Sequence, residues 1–99
     1  MAGYTVWKEN LNIERGIQEI ALPEGAEILT VREQQSAIAM WFHCDPSRIL
    51  IKRRFIVVST DGAAPTLEAS TYIGTASLED GKFIFHIFEL LDIDILTLN

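Results

Sequence analysis

Apolar and polar side chains alternate along most of this chain, and that alternation limits its fold more than any other feature. A period of two sends successive side chains to opposite faces of an extended strand, whereas a helix needs apolar residues three and four apart. Seven runs carry the pattern: Tyr4–Lys8, Gly16–Leu22, Ala26–Gln35, Ala37–Cys44, Ile49–Thr60 (the longest, split by Lys52-Arg53-Arg54), Ser70–Leu78 and Lys82–Glu89. Turn residues separate them at Pro23-Glu24-Gly25, Gln34-Gln35-Ser36, Asp45-Pro46-Ser47, Asp61–Pro65 and Glu79-Asp80-Gly81. The Asp80-Gly81 pair predicts a hairpin, because glycine accepts the positive φ that a tight reversal needs. In the arm after it, Phe83, Phe85 and Ile87 share one face, and Ile84, His86 and Phe88 share the other.

Helical spacing is approached only over Asn10–Ala21, through Leu11, Ile13, Ile17 and Ile20, and Gly16 interrupts it. Thr66–Ala69 reads as a short helical turn or a plain connector. The prediction is an all-β protein, a small antiparallel sandwich or barrel of about seven strands with at most one short helix. The run Ala37–Phe42 is apolar on both faces, which predicts a central strand covered twice. At six residues it falls far short of the roughly 20 that a membrane helix needs.

The apolar alternation extends past the last hairpin. Residues 1–89 read as a single β-rich domain, and residues 90–99 (LLDIDILTLN) as a strand-like extension. Such a segment must cover its apolar face, either as an extra edge strand on its own sheet or as a strand exchanged with a neighbouring subunit. The second choice carries the expectation of a homo-oligomer.

Composition narrows the class. The chain has 99 residues, 48% of them hydrophobic, and a formal charge of −6. That is one domain with enough apolar surface for a core, which excludes intrinsic disorder. A negative field of this size disfavours non-specific nucleic acid and anionic membranes as partners. The opening MAGYTVWKEN lacks the apolar stretch of a signal peptide, and Cys44 is the single cysteine, so the expected setting is reduced and cytoplasmic.

Two clusters are candidate sites. Arg48, Lys52, Arg53 and Arg54 hold half of the basic residues; outside them, four basic residues stand against fourteen acidic ones. Arginine forks fit phosphate and carboxylate, so this positive island reads either as an anion pocket or as a solvated edge paired with acids from neighbouring strands. The second cluster is Trp41, Phe42, His43 and Cys44. Trp41 and His43 are candidates for stacking a base, and the plainer reading makes Trp41 and Phe42 core. His43 and Cys44 are adjacent strand residues and face opposite ways, so they do not form a nucleophile–base pair. His86, inside an aromatic strand, reads as a hydrogen-bonded, half-buried histidine. Two histidines and one cysteine at unmatched spacing give no zinc pattern, and no glycine-rich phosphate loop occurs, so no metal and no cofactor are expected.

Taken together, Val6-Trp7-Lys8, Pro23-Glu24-Gly25-Ala26, Met40-Trp41-Phe42, Tyr72-Ile73-Gly74-Thr75, Asp80-Gly81 and Phe85-His86-Ile87-Phe88-Glu89 resemble a family of short uncharacterised phage and prophage proteins. The resemblance covers nearly the whole chain up to Glu89. It implies a virus-encoded, β-rich protein of the host cytoplasm and brings no catalytic residue. Gly74, inside the motif, predicts a bulge or a close approach of another backbone.

The expected function is binding without catalysis. Its leading form is sequestration of a small nucleotide-derived anionic signal at Arg48, Lys52, Arg53, Arg54, Trp41 and His43, as a counter to host defence. The alternatives are a module that blocks a host defence or regulatory protein, and a virion accessory protein. An enzyme using His43 or His86 is the third class. Fold class alone does not separate these.

Overall fold

The computed structural model describes residues 3–14 and 16–91. Seven strands run in chain order: β1 (Thr5–Leu11), β2 (Ile17–Pro23), β3 (Glu27–Gln34), β4 (Ala37–Cys44), β5 (Leu50–Ser59), β6 (Ser70–Leu78) and β7 (Phe83–Leu90). A 3-10 turn, Leu67–Ala69, precedes β6. Among the described residues no helix is long and apolar enough to cross a membrane.

The strands form two antiparallel sheets, one ordered β1-β4-β3 and the other β2-β5-β7-β6. The all-β sandwich expected from the alternation is therefore what forms. Even-numbered residues of β4 (Ile38, Met40, Phe42 and Cys44) face inward from the first sheet. Leu22, Phe55, Ala76 and Ile87 meet them from the second. Phe42 and Phe55 are essentially fully buried, each contributing roughly 2–3 kcal/mol of transfer free energy.

Local chemistry explains the reversals. Gln35 and Ser36 both have positive φ (51° and 66°), the two-residue loop whose twist matches a β-hairpin. Glu79, Asp80 and Gly81 all have positive φ at the predicted Asp-Gly turn, closed by the Lys82 N–H donating to the Glu79 carbonyl at 3.1 Å. Gly25 (φ 81°) lets the Ala26 N–H reach back to the Pro23 carbonyl at 3.0 Å.

Four expectations change. The helical spacing over Asn10–Ala21 resolves into the end of β1 and the first five residues of β2. The buried Gln18 side chain fixes the crossing between them: its Nε2 donates to the Asn12 carbonyl and its Oε1 accepts from the Asn12 N–H, both at 2.9 Å. The basic run 52–54 does not split its strand, because the ladder with β2 is continuous there, Lys52 and Arg54 face outward, and Arg53 finds Glu89 between the sheets. β4 is central in its sheet but covered by a second layer on one face only. On its other face Trp41 and His43 are half-buried, sheltered by neighbouring side chains. Finally, Leu90 closes β7, and the Leu91 N–H donates to the Ala69 carbonyl at 3.0 Å, so the globular fold runs past Glu89. The expected exchange of a C-terminal strand concerns residues 92–99, which lie outside the described residues.

Of the two readings of Gly74, the bulge is borne out and the close approach of another backbone is not. A bulge at Ile73 interrupts the β6–β7 register. The close neighbour is a side chain, not a backbone: a β-carbon on Gly74 would stand 2.9 Å from a Val31 methyl in the other sheet.

Candidate functional site

The six candidate residues divide between four places. Lys52 and Arg54 alternate with the inward-facing Arg53 and Phe55, so they lie on the outer face of the second sheet. There Arg54 stands directly opposite Glu19 in the ladder and reaches the Leu91 carbonyl with Nη2 at 3.4 Å. Arg48 sits in the β4–β5 loop, 3.7 Å from Glu24 and 3.9 Å from Asp45. The Ser47 hydroxyl and N–H both donate to Asp45 Oδ1, and with Arg48 they hold that carboxyl below its ordinary range.

Arg53 points into the space between the sheets. Nε and Nη2 donate to the two carboxylate oxygens of Glu89 at 2.6 and 2.8 Å, and Nη1 donates to the Ala26 carbonyl at 2.6 Å. The hydrogen-bonded carboxylate raises the guanidinium pKa further. The pair forms part of the wall of a cleft of about 340 Å³ between the starts of β3 and β6. Arg53 is already matched there by the Glu89 carboxylate, so the pair offers no net positive charge to an anion. The basic run thus forms no common pocket, because strand alternation sends neighbours to opposite faces.

Trp41 and His43 share the outer face of the first sheet, two residues apart and so about 6.8 Å along β4. Residues the sequence reading did not single out join them there. The Tyr4 ring stacks on His43 with centroids 4.7 Å apart and planes 16° from parallel. The Arg32 guanidinium lies 5.4 Å over the Trp41 ring. Lys8, opposite Trp41 in the ladder, extends across β4 and donates to Gln34 Oε1 at 2.6 Å. Ala39 and Ala37, the next residues of β4 on this face, have short side chains over which that lysine passes. Glu27, opposite His43, is the acid of the face. Phe42 turns the other way into the core, as the plainer reading of that residue expected.

Tyr4, Lys8 and Arg32 were legible only as members of their own strands. Each alternates to the same side as Trp41 and His43 once β1 and β3 are known to flank β4, a pairing that sequence spacing does not state.

The other reactive side chains are held in hydrogen bonds or buried. His86 is bonded at both ring nitrogens, Nε2 to the Thr60 hydroxyl at 2.8 Å and Nδ1 to the Thr75 hydroxyl at 3.0 Å. The Thr75 hydroxyl in turn meets the Tyr72 hydroxyl. Cys44 is buried on the inward face of β4, and its desolvated thiol has a raised pKa, with the Asp45 charge adding to the shift. A second cleft, about 380 Å³, opens between Ser59-Thr60 and Lys82–Phe85, and none of the six candidates lines it.

Residues 3–94 match the family model described as "Domain of unknown function (DUF7352)". The chain belongs to this family. The match takes in all seven strands of the DUF7352 domain and continues through residues 90–94. No curated protein matches the chain, and no solved structure does.

Proposed function

We propose that this DUF7352 domain is a binding protein for a small phosphorylated, base-containing ligand, held on the outer face of β1-β4-β3. The observation that supports this most is the pair of neighbouring stacks, Tyr4 on His43 and Arg32 on Trp41, on a face that also carries Lys8, opposite Trp41 in the ladder. Tyr4 is 67% exposed, so the stack it makes with His43 leaves much of its ring accessible to a base. Stacking on aromatic and guanidinium planes is worth roughly 1–3 kcal/mol per base. Lys8 and Arg32 supply the charge that a phosphate needs, and an arginine fork can donate two hydrogen bonds to it.

This reading keeps Trp41 and His43 from the expected site and replaces Arg48, Lys52, Arg53 and Arg54 with Lys8 and Arg32. In the viral setting that the sequence resemblance implies, such a protein acts by occupancy, withdrawing a nucleotide signal from a host defence system.

Three probes separate the contributions: adenosine monophosphate, adenosine and ribose 5-phosphate, titrated with tryptophan fluorescence and calorimetry as readouts. The monophosphate is expected to bind tightest, because only it engages both a stack and a cation. Equal binding of ribose 5-phosphate would remove the aromatic face from the proposal. No binding of any probe at millimolar concentration would end it.

A further inference from the structure

The two sheets have four edge strands, and three of them carry a feature that blunts pairing. β3 is bulged at Leu29 and β6 at Ile73, and β2 ends in Pro23, which lacks a donor. β1 has none of these. Its seven residues pair with β4 in unbroken register from Thr5↔Cys44 to Leu11↔Ile38, and no described strand lies along its other side. It is also exposed over most of its length, with Val6 at 50% and Trp7 at 41%. A regular, exposed edge free of bulge and proline is a template for another strand, and its charges decide which strand can pair with it.

The residues of β1 indicate which strand. In an antiparallel pair about a two-fold axis normal to the sheet, facing residues come from the same side, so the axis must pass through one residue. An axis through Lys8 sets two ammonium groups opposite each other. An axis through Glu9 does the same with two carboxylates. An axis through Trp7 faces Trp7 with its symmetry mate, Val6 with Lys8, Thr5 with Glu9 and Tyr4 with Asn10, and places no like charges opposite one another. It also makes a cross-strand aromatic pair at the centre, a contact that stabilises sheets.

We infer that β1 is a self-pairing edge: two copies of this chain join antiparallel through β1 about an axis at Trp7, fusing the β1-β4-β3 sheets into one six-stranded sheet. The pairing uses the backbone edge of β1, leaves the face carrying Trp41 and His43 open, and does not depend on the ligand reading above. One strand per subunit makes a small interface, so association is concentration-dependent.

Two substitutions at the exposed Val6 test the register, because only this alignment sets Val6 against Lys8 of the second copy. Sedimentation is measured over a range of protein concentration. Val6→Glu is expected to tighten the dimer and Val6→Lys to weaken it, each by roughly 2- to 30-fold, since the symmetry repeats the pair twice. Equal effects of the two changes, or a wild-type chain that stays monomeric at the highest concentration, would overturn the inference.

Disulfide trapping reads the axis directly. Trp7→Cys brings two thiols onto facing positions, with Cα atoms about 4.5–5.5 Å apart, within bridging reach. Glu9→Cys sets them too far apart. The wild-type chain, whose Cys44 is buried, is the blank. A covalent dimer is expected from Trp7→Cys and not from Glu9→Cys, and the reverse result would refute the register. Should Trp7→Cys fail to fold, the Val6 pair still decides.

Discussion

Arg53 and Glu89 form a two-pronged ion pair between the sheets, with Nε and Nη2 of the arginine each donating to one carboxylate oxygen. A third bond, from Nη1 to the Ala26 carbonyl, ties β5 and β7 to the segment entering β3. The side chains remain 23% and 16% exposed, so the pair is sheltered but not dry. Glu89→Ala leaves a half-buried guanidinium with one partner and is expected to cost about 2–3 kcal/mol, below the range for a fully buried pair. Urea unfolding checks this. The double change Arg53→Met, Glu89→Met is expected to recover part of the loss, because it removes both charges together.

Gly74 of one sheet packs against Val31 of the other, leaving no room for a β-carbon. Gly74 does not have a positive φ, so alanine suits its backbone and the cost of Gly74→Ala is steric. We expect a loss of about 1–3 kcal/mol. Val31→Ala removes the opposing methyl groups, so the double variant is expected to be more stable than the sum of the two single losses indicates. A double-mutant cycle by thermal or urea unfolding measures that coupling.

On the outer face, Tyr4→Ala and Arg32→Ala are each expected to weaken adenosine monophosphate about 5- to 150-fold, the range that corresponds to losing one stacking partner. Lys52→Ala with Arg54→Ala, on the far side of the sandwich, is expected to leave affinity within about twofold. Calorimetry on the four proteins tests both statements. The reverse ranking would return the site to the basic run.

Asp45 gives the fold an acid-sensitive point. Hydrogen bonds from the Ser47 hydroxyl and N–H, with Arg48 adding its charge, depress the folded pKa below the ordinary value of 3.8. The folded state therefore binds this proton less readily than the unfolded chain does. The stabilisation is complete above the unfolded pKa and fades as pH falls through the folded one. Asp45→Asn is expected to be less stable than wild type at pH 7, and the gap should narrow as the pH is taken below 3.8. Urea midpoints across that range show whether it does.

Cys44 is expected to resist thiol reagents in the native state, since burial hides the sulfur and raises its pKa. Labelling by an aromatic disulfide reagent should follow global unfolding, with a rate that rises with denaturant. Rapid labelling of the native protein would contradict the burial.

The amino-acid sequence by itself determined the strands. A period of two is a local property of extended backbone, and it survives any arrangement of the sheets. Six of the seven runs stand within a residue or two of where alternation puts them, and β1 runs three residues further. Turn chemistry was legible for the same reason: Asp80-Gly81 reverses the chain by its own φ preferences.

What only the tertiary structure decided is which strands lie side by side. Arg53 and Arg54 are neighbours in the chain, yet alternation and pairing send one to Glu89 between the sheets and the other to the outer surface beside Glu19. Tyr4, Arg32 and Trp41 are far apart in the chain, yet β1 and β3 flank β4 and bring them onto one face. Period two says that a residue faces one side or the other. Long-range packing of two sheets around Phe42 and Phe55 selects the side and the neighbours, and with them the charge and stacking that a ligand would meet.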